Sequence, residues 1–333
     1  MTPVQLRSPA RFPQVAPARG HYESYYLKAA DPAGGRAVWI RHTVLRAPGH
    51  APSASVWLTL FDAAQGPLAL KASFPASELS ADAEAYIRVA GSALTPQRAT
   101  GAIEAPGHGE ARWDLAFTGE ADEFPYLPRG WMYESRLPRT KATSLYPAVA
   151  FEGELEACGR HVELRGWPGM VGHNWGEEHA YRSGWIQGIG FREAPEAYLD
   201  VVLARIKLGR LLTPWIANGC LAIDGRRHRL GGAFPGAASF RESGTDARFT
   251  LQGRGVSVEG EVGAPAGRFV AWRYGEPGGG WHPTLHCSIA DMRLRVLGAG
   301  EPERILTLTG AAALELQRRE PLDAVPVQPF PDP

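Results

Sequence analysis

Between Pro168 and Phe191 the sequence reads PGMVGHNWGEEHAYRSGWIQGIGF, which places two histidines, two glutamates, an asparagine and two tryptophans within 24 positions. Carboxyl and imidazole groups at this density suit proton transfer to or from a bound molecule, and aromatic neighbours suit the exclusion of water from it. Read as a polar loop that runs into a glycine-punctuated apolar strand, the segment offers Glu178 as the first candidate acid, with Glu177 and His179 beside it. Adjacent side chains in an extended loop point different ways, so one carboxyl can enter a cavity while the other stays in water. Burial among Trp175, Trp185 and Trp131 would favour the neutral, proton-carrying form of the inward carboxyl, able to protonate an alkene or polarise an enone. His173, Asn174, Trp175, Trp185 and Gln187 are candidate substrate contacts, since an amide can both donate and accept. The competing reading makes Asn174 and Glu178 a latch that bonds loop backbone and fixes the junction between two halves of the chain.

Three further positions extend the constellation. Asp200 interrupts the apolar run 198–204 and is either a carboxylate on a wet face or a second candidate acid. Trp39 and Arg41 share one face of an early strand; inside a barrel the cation beside the ring could hold a carboxylate or carbonyl, and outside it Arg41 is an ordinary solvated arginine. Of the four Gly-Trp pairs, Trp131, Trp167 and Trp281 read as packing anchors, Trp131 being kept also as a candidate contact. Trp185 either lines or fills a cavity. His282 and His286 read as loop or strand-edge residues. No metal site is expected, because His173 and His179 stand six apart with carboxylates between them, which matches neither HExxH nor a facial triad. Walker, GxGxxG and Gly-x-Ser-x-Gly motifs are absent, so no cofactor is expected and nucleotide chemistry is disfavoured.

The elements that must position these residues are strands. Gly (39) and Pro (28) are spread along the chain between short apolar or alternating runs, the pattern of an all-β protein. Runs at 22–29, 37–46, 55–61, 68–74 and 111–118 fill the first third; 148–157, 160–165, 184–191, 197–207, 214–223, 285–297 and 305–316 are among those that follow. In 111–118, Ala111, Trp113, Leu115 and Phe117 alternate with outward positions. Cys158-Gly159 and Asp224-Gly225 carry hairpin-turn chemistry. Residues 77–85 are the best short helix. The two strand sets, one on either side of the 173–179 segment, are each long enough to close a barrel of about eight strands. The expected organisation is a flexible segment over 1–19, a first barrel over 20–180, a second over 181–318 and a Pro-rich tail, an extended strap or disordered, over 319–333.

Two motifs carry a resemblance. His21-Tyr-Glu-Ser-Tyr-Tyr-Leu-Lys28 resembles the opening strand of tocopherol cyclases, and Asn174-Trp-Gly176 with Trp185-Ile-Gln187 resembles, at one residue shorter in its second part, their Asn-Trp-Gly…Trp-x-x-Gln signature. The wider group takes in bacterial carotenoid hydratases and fungal Diels–Alderases. The likeness spans about 35 residues plus the order of strands, and the run Glu177-Glu178-His179 departs from the hydratases' Asp-His-Glu type. It implies two lipocalin-like barrels side by side, with the polar motif near their junction, and cofactor-free cyclisation, hydration or isomerisation.

Composition narrows the partners. Lys plus Arg (35) balance Asp plus Glu (35) without a basic run, so no nucleic-acid partner is expected. Three scattered cysteines and no CxxC suggest a reducing compartment. The first twenty residues lack a signal-peptide core, and no apolar run approaches the ~18 residues of a membrane span, so a cytoplasmic location is expected. The expected partner is an apolar terpenoid, prenylated or polyketide-like molecule, bound either by an enzyme or by a carrier without catalysis.

Overall fold

Alternating runs separated by glycine, proline and Asx turns pair here as antiparallel strands. The computed structural model describes residues 7–119, 121–298 and 302–330, and it is nearly all β. Strands from His21–Ala30 to Arg160–Gly176 form one 12-stranded sheet, an almost closed barrel. Ten strands between Arg182–Phe191 and Arg304–Gln317 form a second sheet, closed into an eight-stranded barrel where Leu230 pairs with Gly253, while Lys207–Leu208 and Leu211–Leu212 pair only with each other. In each sheet the first strand pairs with the last, which brings chain ends far apart in sequence to the same wall.

Local chemistry accounts for much of this. Cys158-Gly159 and Asp224-Gly225 have positive φ at both residues, as a two-residue hairpin turn requires. In strand Gly109–Thr118, Ala111, Trp113, Leu115 and Phe117 are buried and the residues between them exposed. The helix expected at 77–85 is only a 3-10 turn, Ala76–Glu78, while a single helical turn sits at Trp131–Glu134.

Of the two terminal segments, the first departs from expectation and the second takes one of its two expected forms. Residues 7–15, read as flexible, pack on the first barrel: Ser8 and Ala10 are buried, and the Arg11 and Phe12 N–H groups donate to the Glu23 carboxylate at 2.8 and 2.7 Å. In the tail, Val325 and Phe330 are buried and Val327 bridges to Ala271, so its described part is a strap.

The strand His21–Ala30 shows what positions the site: all ten of its residues are buried. Its odd-numbered side chains face the interior of the first barrel. The even-numbered set, Tyr22, Ser24, Tyr26 and Lys28, lies on the outer face, and the second barrel covers that face. Trp39 meets Trp272 and His286, and Trp57 meets Trp272 and Tyr274, across the same boundary. Lys28 is wholly buried there, donating to Gln187 Oε1 (3.0 Å) and the Ala311 carbonyl (2.6 Å), and burial takes its ammonium down to about 7.

Candidate active site

The residues between 168 and 176 are not a loop. They are the end of the strand Arg160–Gly176, paired on one side with His21–Ala30 and on the other with Thr140–Ala157. Strand alternation therefore divides the expected cluster. His173 and Trp175 turn into the first barrel, whereas Asn174 turns to the junction. Gly172 is required where it stands, because a Cβ there would run into the Tyr26 ring.

Inside the first barrel a closed polar group forms. His173 Nε2 donates to Glu23 Oε1 at 2.8 Å; a carboxylate only accepts, which leaves His173 Nδ1 to accept the Ser8 hydroxyl at 2.9 Å. His21 adds a fourth donor group to Glu23 at 3.1 Å. Burial alone would push the Glu23 carboxyl up, but the bonds from His173 and His21 outweigh it and take it down to about 2. Tyr25 and Trp175 stack on the two faces of the His173 ring, at 3.9 and 4.4 Å. Both Glu23 oxygens and both His173 ring nitrogens are thereby engaged.

The second group lines a cavity of about 100 Å³ between the barrels. Its apolar wall is Tyr22, Tyr26, Trp39, Trp185 and Tyr274; its polar wall includes Arg41, Asn174, His179 and Glu315. Arg41 is 5% exposed rather than solvated, because the outer face on which it sits is capped by the second barrel. Its guanidinium lies 4.0 Å above the Tyr274 ring, and its Nε donates to Ser24 at 2.6 Å. Tyr274 in turn donates its hydroxyl to Glu315 Oε2 at 2.9 Å. Glu315 keeps 21% side-chain exposure, and it lines the cavity. Burial raises its pKa, against the opposing pull of Arg41 and of the Tyr274 bond. Burial holds His286, 3.5 Å from the same oxygen, down at about 3, and His179 likewise, so both rings are neutral.

Asp200, expected on a wet face, is wholly buried at the junction. Its Oδ1 accepts from Tyr126 Oη (2.6 Å) and from Trp185 Nε1 (3.0 Å), so it sets the orientation of the Trp185 ring that walls the cavity. Burial raises its pKa despite those two bonds. Gln187, on the same face, is buried and bonded to Lys28 instead of lining the cavity.

Other expected residues fall outside. Glu178 is 46% exposed and paired with Arg139 at 3.1 Å, and Glu177 is paired with Arg19 near the surface. The dry pocket proposed for them does not exist, since the chain leaves the sheet at Gly176 and turns outward. His179 returns to the site by stacking on Tyr22 at 3.8 Å. Trp131, 66% exposed on its helical turn, and Trp281 are not packing anchors, whereas Trp167 is. His282 and His286 are buried within the strand Trp281–Gly298 rather than at an edge. Among the described residues no group of three or more His, Cys, Asp or Glu could hold a metal ion.

Glu315, Tyr22, Tyr26 and Tyr274 were not singled out from sequence. Glu315 carried a signal nonetheless: it is the lone charge in the apolar run 311–316, the same interruption that marked Asp200.

No family model matches the chain. Two uncharacterized proteins of Mycobacterium tuberculosis, from strains CDC 1551 / Oshkosh and H37Rv, are each 26% identical to it over 327 residues, with 92% of both chains covered. Among solved structures it is similar to a candidate AttH from Nitrosomonas europaea (TM-score 0.54, 14% identity, 96% of this chain and 100% of that one). It is also similar to kievitone hydratase from Nectria haematococca (TM-score 0.50, 9% identity, 90% and 89% covered). The double-barrel fold is common to all three structures.

Proposed function

We propose that this chain is an enzyme that hydrates, isomerises or cyclises an unsaturated, mainly apolar small molecule in the cavity between its barrels, by acid assistance and without a cofactor. The observation that carries the reading is Glu315, a carboxyl biased towards its protonated form on the wall of an aromatic-lined cavity. Its proton passes to one carbon of a C=C bond, leaving a cation on the other. The faces of Trp39, Trp185, Tyr26 and Tyr274 stabilise that cation and keep bulk water away. Water adding to the cation, with return of one proton to Glu315, completes hydration. Loss of a proton from a neighbouring carbon completes isomerisation, and attack by a second double bond or a hydroxyl of the same molecule completes cyclisation. Tyr274 orients the carboxyl, and Asp200 holds Trp185. The substrate class is terpenoid, prenylated or polyketide-like, as the apolar wall favours. The shared fold with a protein named a hydratase supports water addition among the three outcomes.

The test is isotopic. The full chain is incubated in H₂¹⁸O and, separately, in D₂O with prenylated phenols, linear isoprenoids, polyene ketones and unsaturated acids, and the products are read by mass spectrometry. Incorporation of ¹⁸O or of carbon-bound deuterium, lost in Glu315→Gln, is expected. Compounds that bind without gaining label would make the protein a carrier instead.

A further inference from the structure

We infer that the substrate carries a carboxylate, held by Arg41, close to the double bond on which the cavity acts. This rests on the reading above and narrows its substrate class. Arg41 lines the cavity and is almost wholly buried, yet among the described residues no carboxylate lies within ion-pair distance of it. Of its nitrogens, Nε is taken by Ser24, and neither Nη makes a hydrogen bond to a described residue. A buried guanidinium normally keeps a bidentate partner, because an unpaired charge away from water is costly. Here the aromatic faces of Tyr274, Trp57 and Trp39, at 4.0, 5.5 and 5.9 Å, are what surround it instead. Rings stabilise a cation without consuming its N–H donors. The planar fork is thus held in position with both Nη groups unused, the geometry that a carboxylate satisfies in a way that an ether, ester or alkene does not.

A second polar atom on the cavity wall limits what else the ligand carries. Asn174 Oδ1 is buried without a hydrogen-bond partner, although the residue lines the same cavity. An amide oxygen only accepts, so it takes a hydrogen bond from a ligand hydroxyl or a water and not from a carboxylate, which is left to Arg41. Arg41 and Glu315 are linked through one side chain, since Arg41 stacks on the Tyr274 ring whose hydroxyl reaches Glu315. A carboxylate on Arg41 therefore sits about one tyrosyl ring from the proton donor. That spacing selects unsaturated acids whose double bond lies near the carboxyl group rather than at the far end of a long chain.

Binding can be measured apart from turnover. Cinnamate, 3,3-dimethylacrylate and geranate, each beside its methyl ester, are titrated into the full chain by calorimetry and by tryptophan fluorescence at pH 7. At least one acid should bind ten or more times tighter than its ester. Arg41→Met should bring that pair within about twofold, and Arg41→Lys, a point cation without the fork, should keep part of the preference. Glu315→Gln should leave the preference intact. Equal or tighter binding of every ester, no binding of any acid, or a preference that survives in Arg41→Met would overturn the inference. If Arg41→Met does not fold, the acid-to-ester ratios of the native chain and of Arg41→Lys still decide it: a ratio that Arg41→Lys leaves unchanged counts against Arg41. An acid preference without isotope uptake would sink the enzyme reading alone, and isotope uptake from neutral compounds only would sink this one alone.

Discussion

Glu23 and Glu315 are carboxyls built into strands, and their surroundings treat them in opposite ways. Glu23, in the first barrel, receives four donor groups: two backbone N–H groups of the N-terminal segment and the rings of His21 and His173. Glu315, between the barrels, receives one good hydrogen bond, from Tyr274, and lines open space. The first is driven to about 2 and the second is raised. Burial is common to both, so it does not separate latch from acid; the number of donors does. The same contrast holds for the cations. Arg46 donates to the carbonyls of Val15 and Ala16, whereas Arg41 keeps two nitrogens unused.

The largest expected effect tests the open side of this contrast. Glu315→Gln should lower turnover of a labelled substrate by roughly 10²–10⁴-fold. It should not lower stability at neutral pH. A carboxyl raised in the folded state favours folding at low pH, and that contribution is lost as pH rises through the folded value; the amide has no such loss. Thermal melts at pH 5 and pH 8 should therefore converge in the variant, and a marked fall in its melting temperature at pH 8 would remove the distinction.

Glu23→Gln tests the closed side and should act on stability. Removing one partner of a buried, charge-assisted cluster costs about 3 kcal/mol. Its folded value near 2 lies below the ordinary 4.5, so the stabilisation is full above about pH 4.5 and is lost as pH falls towards 2. Urea midpoints of the native chain should drop across that window more than those of the variant. Turnover of the folded variant should stay within about threefold of native, whereas loss on the scale of Glu315→Gln would place Glu23 in the chemistry.

Asp200→Asn probes a residue between the two extremes. The amide oxygen can still accept from Tyr126 and Trp185, so the Trp185 ring should hold its place. Turnover should fall by less than about tenfold, with stability at pH 8 no lower than native. A loss as deep as that of Glu315→Gln, with Glu315→Gln itself mild, would move the proton donor to Asp200. The smallest effect is expected from Glu178→Gln. An exposed pair with Arg139 is worth at most about 1 kcal/mol, and turnover should change by no more than about twofold in the same isotope assay.

Much of the fold was legible along the chain because its signals are local. Hairpin turns at Cys158-Gly159 and Asp224-Gly225 follow from residues that tolerate positive φ, and the alternation in 111–118 follows from a strand with one wet face. The polar segment was misread as a loop, although as far as Gly176 it is strand. Its glycines, which suggest a loop, instead let the strand approach neighbours closely, as Gly172 does against Tyr26. Once it is a strand, alternation sends His173 to the latch and Asn174 to the cavity, and Glu177 and Glu178 lie beyond its end.

The sequence by itself determined that the chain is all β and which side chains share a face, because period-two patterning and turn chemistry are properties of neighbouring residues. It also marked the interruptions at Arg41, Asp200 and Glu315. Whether those faces are wet was decided only by the tertiary structure. Arg41 lies on the outside of its barrel and Asp200 on the outside of the other, where a single barrel would leave both in water. Packing the two outer faces together removes that water and leaves charges and amides short of partners around one small space. Burial depends on what comes to lie against a face, and here the covering residues stand more than a hundred positions away in the chain.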